Sequence, residues 1–164
     1  MLQLQSKLPS QGVTIFSVMT ELAHRLNALN LSQGSPDFPA PTALLEALSQ
    51  ATFEGYNQYP AGDGVLALRE QMAQQFLQRD RLTLDPHAEI TITSGATVAI
   101  FCVIQACIHA DDEVIIFDPS YDSYAPAVHL AGGKSIHINL EAPSFQVDWQ
   151  KFKDHITAKT RMII

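Results

Sequence analysis

From Glu89 onward the chain alternates between two rhythms, and this alternation limits the fold more than any other feature. Short β-rich runs at Ile90–Thr93, Val114–Phe117, Ser135–Leu140 and Arg161–Ile164 are separated by helical stretches at Ala96–Ile108, Tyr121–Leu130 and Asp148–Thr157. Strands that alternate with helices in this way build a mostly parallel sheet covered by helices. Asp148 stands at an N-cap position, and Gly132-Gly133 end the helix before the third strand. The first strand runs directly into Ser94-Gly95-Ala96-Thr97 and then into an apolar helix. A glycine at such a turn lets the backbone approach a ligand, and the N–H groups of the following helical turn point at any anion placed there. Taken alone, the same four residues also suit a tight turn with no ligand. The second strand ends in Asp118-Pro119-Ser120-Tyr121, which delivers an aromatic ring from a strand end. An anion seat followed by a ring suits a flat, phosphorylated cofactor.

The first half of the chain reads as helices joined by turn-rich segments. Ile15, Met19, Leu22, Leu26 and Leu29 recur at spacings of four, three, four and three, which predicts an amphipathic helix over Thr14–Leu29. Asn30–Pro39 is dense in turn formers and reads as irregular. A second helix is expected from about Pro41 to Phe53, stopped by Gly55. The loop Tyr56–Gly64 leads into a third helix over about Val65–Arg79, with Leu68, Met72 and Phe76 on one side.

Composition removes several classes of function. A net charge of -7 and no basic run argue against a nucleic-acid partner, which needs clustered Lys and Arg to neutralise phosphates. No apolar run approaches the length of a membrane span, and Met1–Ser10 lacks the pattern of a secretory signal, so no membrane partner is expected. Cys102 and Cys107 lie in the apolar run Val98–Ile108, where buried free thiols and a reducing cytoplasm are the expectation; a separation of five on a helix disfavours a disulfide. The six histidines show no paired metal spacing and no Cys-x-x-Cys occurs, so no metal site is expected. Gly-x-Gly-x-x-Gly, Gly-Lys-Ser/Thr and Gly-x-Ser-x-Gly are likewise missing.

Several blocks in order carry a resemblance. Asn30-Leu31-Ser32-Gln33-Gly34-Ser35-Pro36-Asp37-Phe38, Asn57-Gln58-Tyr59 with Gly64 and Leu68-Arg69-Glu70, Thr93-Ser94-Gly95-Ala96, Asp111–Ile115 leading to Asp118–Tyr124, and Gly132-Gly133 together resemble the N-terminal part of a class I, fold-type I aminotransferase. Such enzymes depend on pyridoxal 5'-phosphate (PLP), and the methionine and kynurenine–glutamine branch is the most similar. The resemblance implies a three-layer αβα architecture with a mostly parallel sheet, here an incomplete large domain preceded by an N-terminal helical segment. It divides the chain into an arm and helix over residues 1–40 and the front of the PLP-binding large domain over residues 41–164.

It also implies roles. The amides of Gly95, Ala96 and Thr97 hold the cofactor phosphate, and Tyr121 stacks on its ring. Tyr59 reaches across a homodimer interface to the phosphate of the partner's cofactor. Gly34 lies beside the substrate carboxylate, and Phe16 lines the substrate pocket. Read without the resemblance, Tyr121 fits a buried ring with a satisfied hydroxyl, Tyr59 a solvated loop residue, and Phe16 the core. Ser35 departs from the pattern, since relatives often carry Phe there, and this loosens the pocket wall.

The family also needs a Schiff-base lysine, an acid at the pyridine nitrogen and an arginine for the substrate carboxylate, all further along than Ile164. The five lysines here, Lys7, Lys134, Lys151, Lys153 and Lys159, stand in other contexts. No catalytic residue is therefore assigned, and the chain alone is expected not to transaminate. Met162-Ile163-Ile164 reads as a buried strand in an unfinished sheet, so the chain is expected to be the front part of a larger cytoplasmic enzyme. That enzyme moves an amino group between an amino acid and a 2-oxo acid, with methionine, glutamine or aromatic side chains favoured. The alternatives are a C–S lyase on the same scaffold and a non-catalytic truncated protein or interaction module.

Overall fold

A computed structural model describes residues 5–8, 12–34 and 36–164. Ser35 and part of Met1–Ser10 lie outside the described residues, and with them the readings that rest on those positions. The elements in chain order are α1 (Ile15–Leu26), α2 (Thr42–Phe53), α3 (Leu66–Asp80), α4 (Ala96–Cys107), β1 (Glu113–Asp118), α5 (Tyr124–Leu130), β2 (Lys134–Asn139), α6 (Trp149–Asp154) and β3 (Thr160–Ile163). They separate into two compact units, one built on Ser94–Ile164 and one on Ile15–Thr93.

In the Ser94–Ile164 unit the strands form one parallel sheet in the order β2-β1-β3. β1 is the central strand, and its side chains alternate between two buried faces. Val114 and Ile116 meet Ile104 and Ile108 from the α4 region and Ala127 and Val128 of α5 in one apolar cluster, against which Met162 and Ile164 also pack. On the other face Phe117 meets Phe152 of α6 with ring centroids 5.8 Å apart. The unit is thus helix, sheet, helix, the three-layer arrangement read from the sequence.

Local chemistry explains the boundaries. Asp148 caps α6, its carboxylate accepting from the N–H groups of Gln150 and Lys151. Gly133 marks a close approach between α5 and β2: a Cβ there would stand 2.6 Å from Ile108 Cγ2 and 3.1 Å from Val128 Cγ1. A parallel pair needs a crossover, and the tight Gly132-Gly133 exit lets the short α5 supply it. α5 begins at Tyr124 rather than Tyr121, because Asp122 and Ser123 form a turn and the Tyr124 N–H bonds the Tyr121 carbonyl at 3.2 Å.

Three expectations are overturned. Met162-Ile163-Ile164 leads out along a strand, as read, but β3 is an edge strand and Ile163 is 52% exposed rather than buried. Ile90–Thr93 is not a strand: no described residue pairs with it in a ladder, and the Ile92 N–H instead donates to the Asp63 carbonyl at 3.0 Å. β-preference supplies an extended backbone, but a strand exists only beside a neighbour. Cys102 and Cys107 are free and exposed rather than buried. α4 is apolar all round, yet only Ile104 of its residues is buried, because described elements cover one side of it.

The Ile15–Thr93 unit carries α1, α2 and α3, and among its described residues no hydrophobic side chain is buried. Its buried side chain is that of Arg69, whose Nη1 meets Asp63 Oδ2 at 2.8 Å and the Pro86 carbonyl at 2.8 Å. The same Asp63 receives Ile92 through its backbone, so one aspartate ties the loop before α3 to both α3 and the segment that follows it. No helix of the described residues is long and apolar enough to cross a membrane.

Candidate active site

The Ser94–Ile164 unit places its anion seat and its ring at the same end of the sheet. α4 and β1 are joined by a short turn at residues 108–112, so the helix runs back along the strand. Twelve helical residues span about 18 Å and six strand residues about 20 Å, which brings the N-terminus of α4 level with the C-terminal end of β1. A cleft of about 200 Å³ lies between the two helices there, with Thr97 of α4 and Ser123 of the β1–α5 turn both on its wall. The crevice beyond the carboxyl ends of parallel strands is where α/β sheets receive ligands.

Gly95 is the N-cap of α4, with φ 85° and ψ 170°, a conformation that side-chain-bearing residues rarely adopt. A glycine N-cap brings no side chain of its own, and a Cβ built on Gly95 meets nothing within 4 Å. The N–H groups of the first helical turn have no partners within the helix itself. The partial positive charge of the helix terminus falls on the same spot. Gly95, Ala96 and Thr97, the residues expected to hold a phosphate, stand together at this terminus.

Tyr121 leaves the β1–α5 connection half-exposed, at 48%, with its ring 6.0 Å from that of Tyr124 and inclined to it by 52°. It is not a core tyrosine. The segment that carries it is held by a network that sequence reasoning missed. Asp118 Oδ1 accepts from Ser120 Oγ at 2.8 Å, Asp118 Oδ2 lies 2.7 Å from His137 Nδ1, and the Asp118 carbonyl accepts from Leu140 N–H at 2.7 Å. His137 is 19 residues from Asp118, and only the parallel register that sets Ile116 against His137 puts the two on one face.

The other predicted residues belong to the Ile15–Thr93 unit. Phe16 is 39% exposed on α1, so it is not part of a core. Gln33, just before Gly34, donates its Nε2 to the Phe16 carbonyl at 3.0 Å and to Thr20 Oγ1 at 2.8 Å. The Gly34 loop is thereby fastened to α1, beside an open cleft of about 560 Å³ lined by Phe16, Thr20, Glu21, His24 and Gln33. Gln33 lay inside a quoted motif, but a residue between two loop positions carries no sign that its amide reaches a helix. Tyr59 is fully exposed.

Charge is concentrated at the opposite end of the sheet. Lys134 Nζ meets Asp111 Oδ1 at 2.7 Å, and this bond, with the added field of Lys159, holds the Asp111 carboxyl below its ordinary range. The same contact raises Lys134. The backbone N–H of His109 does most to lower Asp112, which Arg161 also approaches. Lys134 opens β2 and Lys159 immediately precedes β3, so both stand at the sheet end remote from Gly95.

A parallel sheet covered by helices on both faces, with a glycine-led helix and a tyrosine at the strand exit, defines an α/β domain of the kind that receives ligands at its strand ends. Residues 27–164 match the family described as Aminotransferase class I and II, and the chain belongs to that family. It is 48% identical over 160 residues to the methionine aminotransferase of Escherichia coli K12, covering 98% of this chain and 42% of that protein. It is 31% identical over 158 residues to an aspartate aminotransferase of Bacillus subtilis, covering 95% of this chain and 40% of that protein. The solved structure of YbdL from Escherichia coli, described as having a methionine aminotransferase function, matches with a TM-score of 0.93 at 47% identity. That match covers 99% of this chain and 42% of the other. The N-succinyldiaminopimelate aminotransferase of Mycobacterium tuberculosis matches with a TM-score of 0.91 at 34% identity. The fold is that of the fold-type I aminotransferases, and the chain spans about 42% of the length of the relatives it matches.

Proposed function

We propose that this chain forms the N-terminal part of a PLP-dependent aminotransferase that moves an amino group between an amino acid and a 2-oxo acid. In this reading residues 1–40 are an arm and helix, and residues 41–164 open the PLP-binding domain of a cytoplasmic homodimer. The observation that carries it is the glycine-led N-terminus of α4 lying level with the strand exit that presents Tyr121.

The N–H groups of Gly95, Ala96 and Thr97 donate to the PLP phosphate, and the helix terminus adds about 0.3–1 kcal/mol of favourable field. The Tyr121 ring supports one face of the pyridine and orients it, with about 0.5–1.5 kcal/mol from stacking. When bound, PLP supplies the electron sink that makes the substrate α-proton removable. Gly34 leaves room for a substrate carboxylate, Phe16 forms an apolar wall for its side chain, and Gln33 keeps the two together. Tyr59, fully exposed, extends toward the phosphate held by the partner subunit. No residue of this chain is assigned the proton transfer. Similarity to the Escherichia coli methionine aminotransferase makes methionine the first donor to test.

The test is the full-length protein titrated with PLP, then given methionine and a series of 2-oxo acids. Binding of one PLP per subunit, with conversion of the 2-oxo acid to its amino acid, is the expected result. G95A should weaken PLP binding by about 10-fold or more, since a side chain there strains the turn and crowds the phosphate. Wild-type protein that binds no PLP overturns the reading; release of thiol and ammonia without amino transfer moves it to a C–S lyase.

A further inference from the structure

We propose that His137 is a positioning residue for Tyr121, acting through Asp118 and Ser120; this rests on the PLP reading of the same site. A carboxylate has no proton to give, so the 2.7 Å contact requires His137 Nδ1 to be the protonated nitrogen, donating to Asp118 Oδ2. The other oxygen, Oδ1, receives the Ser120 hydroxyl at 2.8 Å. Ser120 immediately precedes Tyr121, and the Tyr121 carbonyl in turn accepts the N–H that opens α5. Asp118 is therefore held at three points: its backbone by Leu140, one oxygen by β2 and the other by the segment that ends in the ring. The carboxylate transmits the position of β2 to the turn before Tyr121.

Two features separate this from a surface contact of no consequence. Asp118 is the last residue of the central strand, so its carboxylate leaves the sheet at the ligand-receiving end. Its side chain is 29% exposed and both of its oxygens are engaged at once, so the carboxylate is fixed from two sides although His137 itself is 44% exposed. A half-exposed ring at the end of an irregular segment needs such a restraint, because stacking rewards one orientation of the ring and a mobile loop loses it to entropy. With the clamp intact the ring is pre-organised; without it the cofactor must order the segment on binding.

The experiment uses the full-length holoprotein and three variants, H137A, H137F and H137N. H137F keeps ring volume and strand preference without the donor, and H137N places an amide N–H near the position of Nδ1. The readouts are PLP affinity by fluorescence titration and the visible circular dichroism of bound PLP relative to its absorbance, which reports how rigidly one face is stacked. H137A and H137F should each weaken PLP binding about 3–10-fold, the value of one charge-assisted hydrogen bond. Both should reduce the dichroism per bound cofactor, and H137N should recover wild-type values to within about 2-fold. Far-ultraviolet dichroism and melting temperature confirm that the variants are folded. Folded H137A and H137F with wild-type affinity and dichroism overturn the inference, as does H137N behaving like H137A. If wild-type protein binds PLP normally, those results count against the clamp alone; if wild-type protein binds none, the PLP reading and the clamp fall together.

Discussion

The two units of this chain are organised by different physics. In the Ser94–Ile164 unit Ile104, Val114, Ile115, Ile116, Val128 and Ile138 are essentially removed from water, and the central strand is covered on both faces. Among the described residues of the Ile15–Thr93 unit no hydrophobic side chain is buried, and the buried side chain is the arginine of the Asp63–Arg69–Pro86 tie. The first unit has a source of cooperative stability in burial, at about 1.5–3 kcal/mol for each large aliphatic side chain. The second has directional polar ties and a set of apolar faces, including Leu44, Leu48, Phe53 and Leu68, that are open to solvent. The difference teaches where each kind of site residue sits. Gly95 and Tyr121 belong to the unit with the apolar core, whereas Phe16 on α1 and Gly34 and Tyr59 in loops belong to the polar-tied unit.

The comparison can be broken by mutation. Ile116→Ala removes a fully buried side chain at the centre of the sheet and should cost about 2–5 kcal/mol in urea unfolding, the largest effect expected. Gly133→Ala forces a Cβ to within 2.6 Å of Ile108 Cγ2 and should cost about 1–3 kcal/mol by overpacking. Arg69→Met retains much of the stem and severs both polar ties; it should cost about 1–2 kcal/mol, because Asp63 is already 45% exposed and can turn to water. Limited proteolysis should then cut first in the loop between Tyr56 and Gly64. If Arg69→Met destabilises more than Ile116→Ala, the polar tie is the stronger organiser and the contrast is reversed.

The smallest effect is that of pH on the surface pair at the far end of the sheet. Asp111 is lowered by Lys134, so its contribution is complete above the ordinary carboxylate pKa of about 4 and is lost as pH falls through the depressed value. Lys134 is raised by Asp111, so its contribution is complete below the ordinary lysine pKa of about 10.4 and is lost as pH rises through the raised value. Asp111→Asn should remove this dependence at both ends and leave the melting temperature near neutrality almost unchanged. A large shift at pH 7 would mean the pair matters more than exposed ion pairs do.

Much of the fold was legible along the chain, and the failures share one cause. The periodicity of Ile15, Met19 and Leu22 located α1, Phe53 ended α2, and Asp148 capped α6. Each rests on neighbours within one or two helical turns, where spacing alone decides which groups meet. The glycine turn into α4 was legible for the same reason, since an extended run, a glycine and an apolar helix are contiguous. Ile90–Thr93 failed as a strand because its hydrogen bonds depend on a neighbour, and its local β-preference is silent on whether one is present. The exposure of Cys102 and Cys107 likewise depends on what covers α4, which its own apolar sequence does not specify.

By itself, then, the sequence determined the helices, their order and the glycine turn that opens α4, because propensity, capping and glycine's backbone freedom are short-range properties. Only the tertiary structure decided that His137 reaches Asp118, that Gln33 fastens the Gly34 loop to Phe16, and that Arg69 is buried beside Asp63. Those contacts join residues from 6 to 19 positions apart across strand register, helix face and loop closure. Their partners are fixed by the packing of whole elements, and no local pattern encodes which side chains that packing will bring within hydrogen-bonding distance.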